Sequence, residues 1–182
     1  MLMNTIKPNR ILAVEIRAAR LGYAVLETPK QLCDFGALLF STPRVARGRI
    51  ARLLHRYQPA VLVLAGAGAR YPRNMQSRRA IARIGKNEAK QRGIPSARIS
   101  EKEFKTFFGQ YFCRDKYDIA AVLAKWFPEL AWRVPPPLDF YDPEPRQMLY
   151  FDSIALGIAY LLSTQNNKSE LTDDRIFSPA SK

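Results

Sequence analysis

Histidine and cysteine are nearly absent from this 182-residue chain, which has one His, His55, and two Cys, Cys33 and Cys113. One histidine excludes a His-rich metal site and leaves a Ser-His-Asp triad only that residue to build on. Two cysteines cannot close a zinc site alone. Widely spaced, behind an N-terminus (MLMNTIKPNR) with no apolar signal stretch, they read as reduced packing thiols. No run reaches the roughly 18 apolar residues of a membrane span. A cytoplasmic protein is therefore expected, associated with the nucleoid if bacterial. Acid is scarce in the middle of the chain. Residues 43–116 hold 18 Lys and Arg against 4 Asp and Glu, while the remainder holds 11 against 12.

The net charge of +13 and pI of about 10.1 therefore come from one block. A clustered cationic segment points to a polyanion, and to nucleic acid before any other, with DNA favoured over RNA. The plainer alternative is a basic protein with no such partner. Hydrophobic residues make up 47%, enough for one domain with a core of its own.

The first forty residues read as three strands joined by short turns: Arg10–Ile16, Arg20–Thr28 and Gln31–Phe40. Thr42 then Pro43 start a helix running to Tyr57, with Ala46, Ile50, Leu53, Leu54 and Tyr57 on one side. His55 falls among its solvated residues. Ala60–Ala65 (AVLVLA) reads as a strand buried on both faces, so the helix before it is a crossover to a parallel pair. A basic helix over 73–92 and a short strand, Ser96–Ile99, come next. Ser100 and Glu103 form a capping box for a helix, and another helix runs from Asp115 to Trp126. The five prolines of 133–146 impose a loop. The last helix spans Gln147–Leu162, with a buried stripe of Phe151, Ile154, Ala155, Ile158 and Leu162. These boundaries give an extension over 1–9, a domain over 10–162 and a polar tail over 163–182.

Four stretches, in this order, resemble the RuvC-type Holliday junction resolvases. RILAVEIRAARLGYAVLE is similar to that family's opening hairpin, with Glu15 as the acid and Gly22-Tyr23 opening the second strand. LLHRYQPAVLVLAG resembles its helix and buried strand, ISEKEFKTFFGQYFCRDKYDIAAVLAKWF its lysine-bearing segment, and FDSIALGIAYLL its final helix. The resemblance covers residues 10–162. It implies an α/β, ribonuclease-H-like mixed sheet, three antiparallel strands then two parallel ones, flanked by helices. It also implies a homodimer.

Carried over by position, Glu15 and Asp152 are the catalytic and metal-binding acids, with Mg or Mn as the implied cofactor. The pattern then fails in two places. The second acid falls near Ala65 or Gly66, where there is none, and the partner of Asp152 falls at Leu149. Nucleases of this kind hold two divalent ions about 4 Å apart on three or four converging carboxylates. Arg17 competes for the charge of Glu15. Asp139, Asp142 and Glu144, in the proline-rich loop, are the only nearby acids able to support the site. The plain readings are a strand acid paired with Arg17 or Arg20, and a first-turn helix acid favoured by the dipole at Asp152. Gly66-Ala-Gly68 matches no phosphate-loop pattern and reads as small residues at a turn.

The expected nucleic-acid face comprises Arg70, Arg73, Arg78, Arg79, Arg83, Lys86, Lys90, Lys102 and Lys105. Tyr71 and Phe107-Phe108 could stack on bases, although core packing is the stronger reading for the two phenylalanines. The sequence thus favours a resolvase-like protein binding duplex or branched DNA with weak or lost cutting. An active Mg/Mn-dependent endonuclease and a non-catalytic scaffold in a protein or RNA assembly are the alternatives.

Overall fold

The computed structural model describes residues 10–66, 75–136 and 145–166. Five strands form one mixed sheet: β1 (Ile11–Arg17), β2 (Arg20–Thr28), β3 (Gln31–Leu39), β4 (Val61–Ala65) and β5 (Ser96–Ile99). Their order is β3-β2-β1-β4-β5. The first three pair antiparallel, and β4 and β5 add in parallel beside β1. This is the mixed sheet expected from the sequence.

Side chains alternate across β1. Leu12, Val14 and Ile16 face a core built with α1 (Pro43–Tyr57) and α2 (Met75–Gln91). Ile11 and Ala13 face the opposite core, built with α3 (Glu101–Gly109), α4 (Lys116–Trp126) and α5 (Met148–Asn166). By the same alternation, Glu15 and Arg17 point to the α5 side. Thr42 Oγ1 accepts from Val45 N–H to cap α1, and the Ser100–Glu103 capping box of α3 forms as expected. Gly93, at φ +67°, closes α2 while Ile94 N–H donates to Ala89 O.

Four features differ from expectation. A 3-10 helix, η1 (Pro128–Arg133), follows α4 directly. Its proline suits the first helical position. The last helix continues to Asn166, past Leu162. It is also buried almost all round rather than along one stripe, because the sheet covers one side and α3, α4 and η1 cover the other. Cys33 is exposed on β3 and is not a packing residue, while Cys113 is half-buried. The extension over 1–9 and the residues beyond 166 lie outside the described residues. Among the described residues no helix is long and apolar enough to cross a membrane.

Two glycines let α5 settle onto the sheet. A Cβ on Gly22 would lie 2.6 Å from Leu149 O, and one on Gly157 would lie 3.2 Å from Ala13 Cβ. On the other face, buried Glu88 joins α2 to α1 by accepting from Arg92 Nη1 (2.6 Å) and from Arg47 Nε. Burial alone would raise the pKa of Glu88, but the arginine hydrogen bonds outweigh it and hold the carboxyl below its ordinary value of 4.5. A carboxyl held low in the fold adds stability above its unfolded pKa and loses it as pH falls through the folded pKa.

Gly22→Ala should cost about 1–3 kcal/mol through overpacking, measured by urea unfolding. An unchanged midpoint would contradict this close approach. Glu88→Gln should be less stable than wild type at neutral pH, and the gap should shrink below about pH 4. A gap independent of pH would mean that the charged pair contributes nothing.

Candidate functional site

Continuing the β1–β4 register one step beyond Val14↔Leu64 sets Glu15 beside Ala65. Both point to the α5 side, as Ala13 and Val63 do. The vacant second-acid position is therefore Ala65. Gly66 could not hold an acid: its N–H donates to Ile99 O (2.8 Å), and a Cβ there would lie 2.9 Å from that same oxygen. Its smallness serves the close passage of the chain past the β5–α3 turn. The other vacant position, Leu149, is buried against Gly22. Its carbonyl accepts from Ser153 Oγ at 2.8 Å.

Glu15 and Asp152 do converge, each 8% exposed. They line one cavity of about 50 Å³ with Ala65, Gly66, Arg78 and Glu101, room for a few waters at about 10–15 Å³ each. Asp152 is the fifth residue of α5, beyond the first turn, so the helix terminus is not what accounts for it.

A guanidinium meets each acid. Arg17, two residues along β1 from Glu15, pairs with Asp152 across the β1–α5 interface. Arg78 donates from Nη2 to Glu15 Oε1 at 2.7 Å and from Nε to Ile16 O at 2.6 Å. Arg78 belongs to α2, on the other face of the sheet. It crosses at the strand ends and also lines a second cavity there, with Arg79, Ala82 and Arg98. The sequence put this residue on the nucleic-acid face; its side chain is 16% exposed and turned into the cleft. The helical period gives the reason, since residue 78 precedes buried Ile81, Ala82 and Gly85 by three, four and seven positions.

The residues present do not fit the two-ion centre of a nuclease. Two of the expected carboxylate positions carry Ala65 and Leu149, and the two acids that remain bond to arginine. A hard divalent cation needs anionic oxygens turned towards it, and here those oxygens face guanidinium groups. Among the described residues no three His, Cys, Asp or Glu side chains group to hold a metal ion. Asp139, Asp142 and Glu144 lie outside the described residues. Glu101, which sequence reasoning missed, lines the cleft and pairs with Lys105 at 2.8 Å. The pattern of the capping box drew notice to Glu103 and away from it.

Several of the basic residues expected to face nucleic acid are exposed. Arg79, Arg83, Lys86 and Lys90 are exposed and stand at i, i+4, i+7 and i+11 of α2, one stripe about 17 Å long. Arg98, exposed on β5 and also missed from sequence, shares the cavity lined by Arg79. Lys102 and Lys105 are exposed on α3. Arg70, Arg73 and Tyr71 lie outside the described residues. Phe108 is fully buried, with Phe104 and Phe107 each 4.9 Å away between ring centroids, so this pair belongs to the core. His55 is exposed on α1.

No family model and no curated protein sequence matches the chain. Solved structures do. The Thermus thermophilus RuvC structure aligns with TM-score 0.66 and 12% identity, covering 87% of this chain and 96% of that one. The T. thermophilus RuvC complex with a Holliday junction substrate gives 0.65, 13%, 86% and 95%. The yeast mitochondrial Holliday junction resolvase Ydc2 gives 0.61, 10%, 92% and 84%. The chain therefore has a ribonuclease-H-like fold. Within that class its likeness is to the RuvC-type Holliday junction resolvases.

Arg78→Met should destabilise the protein by about 3–5 kcal/mol, since it strips a cation from a buried acid. Adding Glu15→Gln should recover at least about 1 kcal/mol of that loss in a double-mutant cycle. Strict additivity in denaturant unfolding would contradict the Glu15–Arg78 coupling.

Proposed function

We propose that this protein binds duplex or branched DNA on a resolvase-type scaffold and does not cut it. The observation that carries the reading is the pairing of Glu15 with Arg78 and of Asp152 with Arg17. A nuclease would present those two acids to metal. With both charges answered from within the chain, the cleft keeps its shape without a cation. The DNA contacts fall to the exposed stripe of α2, supplemented by Arg98 and Lys102. Such contacts go to phosphates and read shape more than sequence. Their contribution comes through counterion release, so binding weakens steeply with salt. The fold's likeness to resolvases favours a branched partner and a homodimer.

One observation favours a second reading. Glu101 stands in the same cavity as Glu15 and Asp152. If DNA drew the arginines onto its phosphates, these three acids could take up Mn or Mg, and the protein would be a conditional endonuclease.

Gel-shift titrations with a labelled four-way junction and a linear duplex of the same sequence separate these readings. The account predicts equal affinity in EDTA and in Mg²⁺, intact DNA in Mg²⁺ or Mn²⁺, and at least tenfold preference for the junction. Arg83→Ala and Lys86→Ala should each lower the slope of log affinity against log salt by about one. Cleavage abolished by Glu15→Gln would establish the second reading. No binding to either DNA at low salt would overturn both.

A further inference from the structure

Trp132 is the most exposed large hydrophobic side chain among the described residues, at 75%. It sits near the end of η1, beside Arg133. The Arg133 guanidinium lies 4.2 Å from the Trp132 ring centroid, over the indole. It also lies over Phe35 of β3 at 5.2 Å and Tyr150 of α5 at 5.5 Å, two rings that meet edge to face at 5.8 Å. Three elements thus hold one cation against an outward-facing indole. No carboxylate among the described residues answers that cation, and its Nε is buried without a hydrogen-bond partner.

The three cation–π contacts hold the guanidinium in place, yet two groups remain unsatisfied. A large indole stands in water, and a buried guanidinium atom forgoes a hydrogen bond. The same features suit an unstacked nucleobase. A base has a flat π face to lay on the indole, and its phosphate supplies a counter-charge that no described residue gives Arg133.

Resting on the nucleic-acid reading above, we propose that Trp132 and Arg133 form a stacking platform for an unpaired base of the bound DNA. Tyr150 and Asp152 are two residues apart, about 200° round α5, so the platform and the acid cleft flank opposite sides of the same helix turns. The register runs from Glu15 through Gly22 to Ala37, and Phe35 lies two residues further along β3. Strand and residue spacings put Phe35 about 12 Å from Glu15 between backbones. That matches the rise of three to four stacked nucleotides at 3.4 Å each. A strand that passes the cleft and rounds α5 reaches the Phe35 edge of the sheet within that distance, where Arg133 and then Trp132 meet a base free of its partner. Fully paired DNA has no base to offer, so the site distinguishes open from closed DNA.

The test compares the full-length protein with Trp132→Ala and Trp132→Phe in anisotropy titrations. The probes are a labelled oligo-dT strand and a fully paired duplex at one salt concentration. Trp132→Ala should bind oligo-dT about tenfold more weakly, equal to about 1.4 kcal/mol, and bind duplex within twofold of wild type. Trp132→Phe should restore most of the loss, because a smaller ring still stacks. Circular dichroism should show unchanged folding, as the ring is exposed. If wild type binds and Trp132→Ala binds oligo-dT equally well, the platform is overturned while the DNA-binding reading stands. If Trp132→Ala changes only the sedimentation coefficient, the ring serves a contact between protein chains and the proposal falls. If wild type binds neither probe, both readings fail together.

Discussion

A carboxylate buried between a helix and a sheet must meet a cation, since leaving it bare in a low-dielectric site costs several kcal/mol. Glu15 and Asp152 meet arginines, one from their own side of the sheet and one from the far side. That constraint ties the molecule together. Arg17 locks β1 to α5. Arg78 locks α2 to the end of β1, reaching round strand ends that Ala65 and Gly66 leave open. The two layers of helices, which otherwise touch opposite faces of the sheet, are joined at this cleft.

The close seat of α5 makes the pairing reachable. Gly22 lies directly across from Glu15 in the β1–β2 register, and α5 passes it too closely to admit a side chain. The glycine that admits the helix thus also sets the depth at which Asp152 and Glu15 share a cavity. Leu149, at one of the two vacant acid positions, packs into that same approach. Aliphatic packing there and a guanidinium in the cleft are consistent replacements. Both exchange a site that needs a bound ion for one that is complete within the chain.

Much of this was legible before any coordinates. The strand meander, the Thr42 cap, the Ser100–Glu103 box and the apolar run of β4 are local signals, and local chemistry decided them. The missing acids at Ala65 and Leu149 were also visible as absences. What stayed hidden was pairing over distance. Arg78 and Glu15 are 63 residues apart and Arg17 and Asp152 are 135 apart, and no spacing rule joins them. One signal was present and unused: Arg78 shares the period of Ile81, Ala82 and Gly85, so it was never placed to face solvent. Another was the composition of α5, which carries apolar side chains on every side and only one charge, the pattern of a helix buried all round. Glu101 and the Trp132–Arg133 pair had no motif to announce them. They matter through what folds beside them.

The most direct test of the central claim is a Mn²⁺ titration of the DNA-free protein followed by electron paramagnetic resonance. The account predicts that free Mn²⁺ signal rises from the first addition, with no site of micromolar affinity, because arginine already answers both acids. A tight, stoichiometric Mn²⁺ site that disappears in Glu15→Gln or Asp152→Asn would contradict it and return the protein to the metal-dependent nucleases.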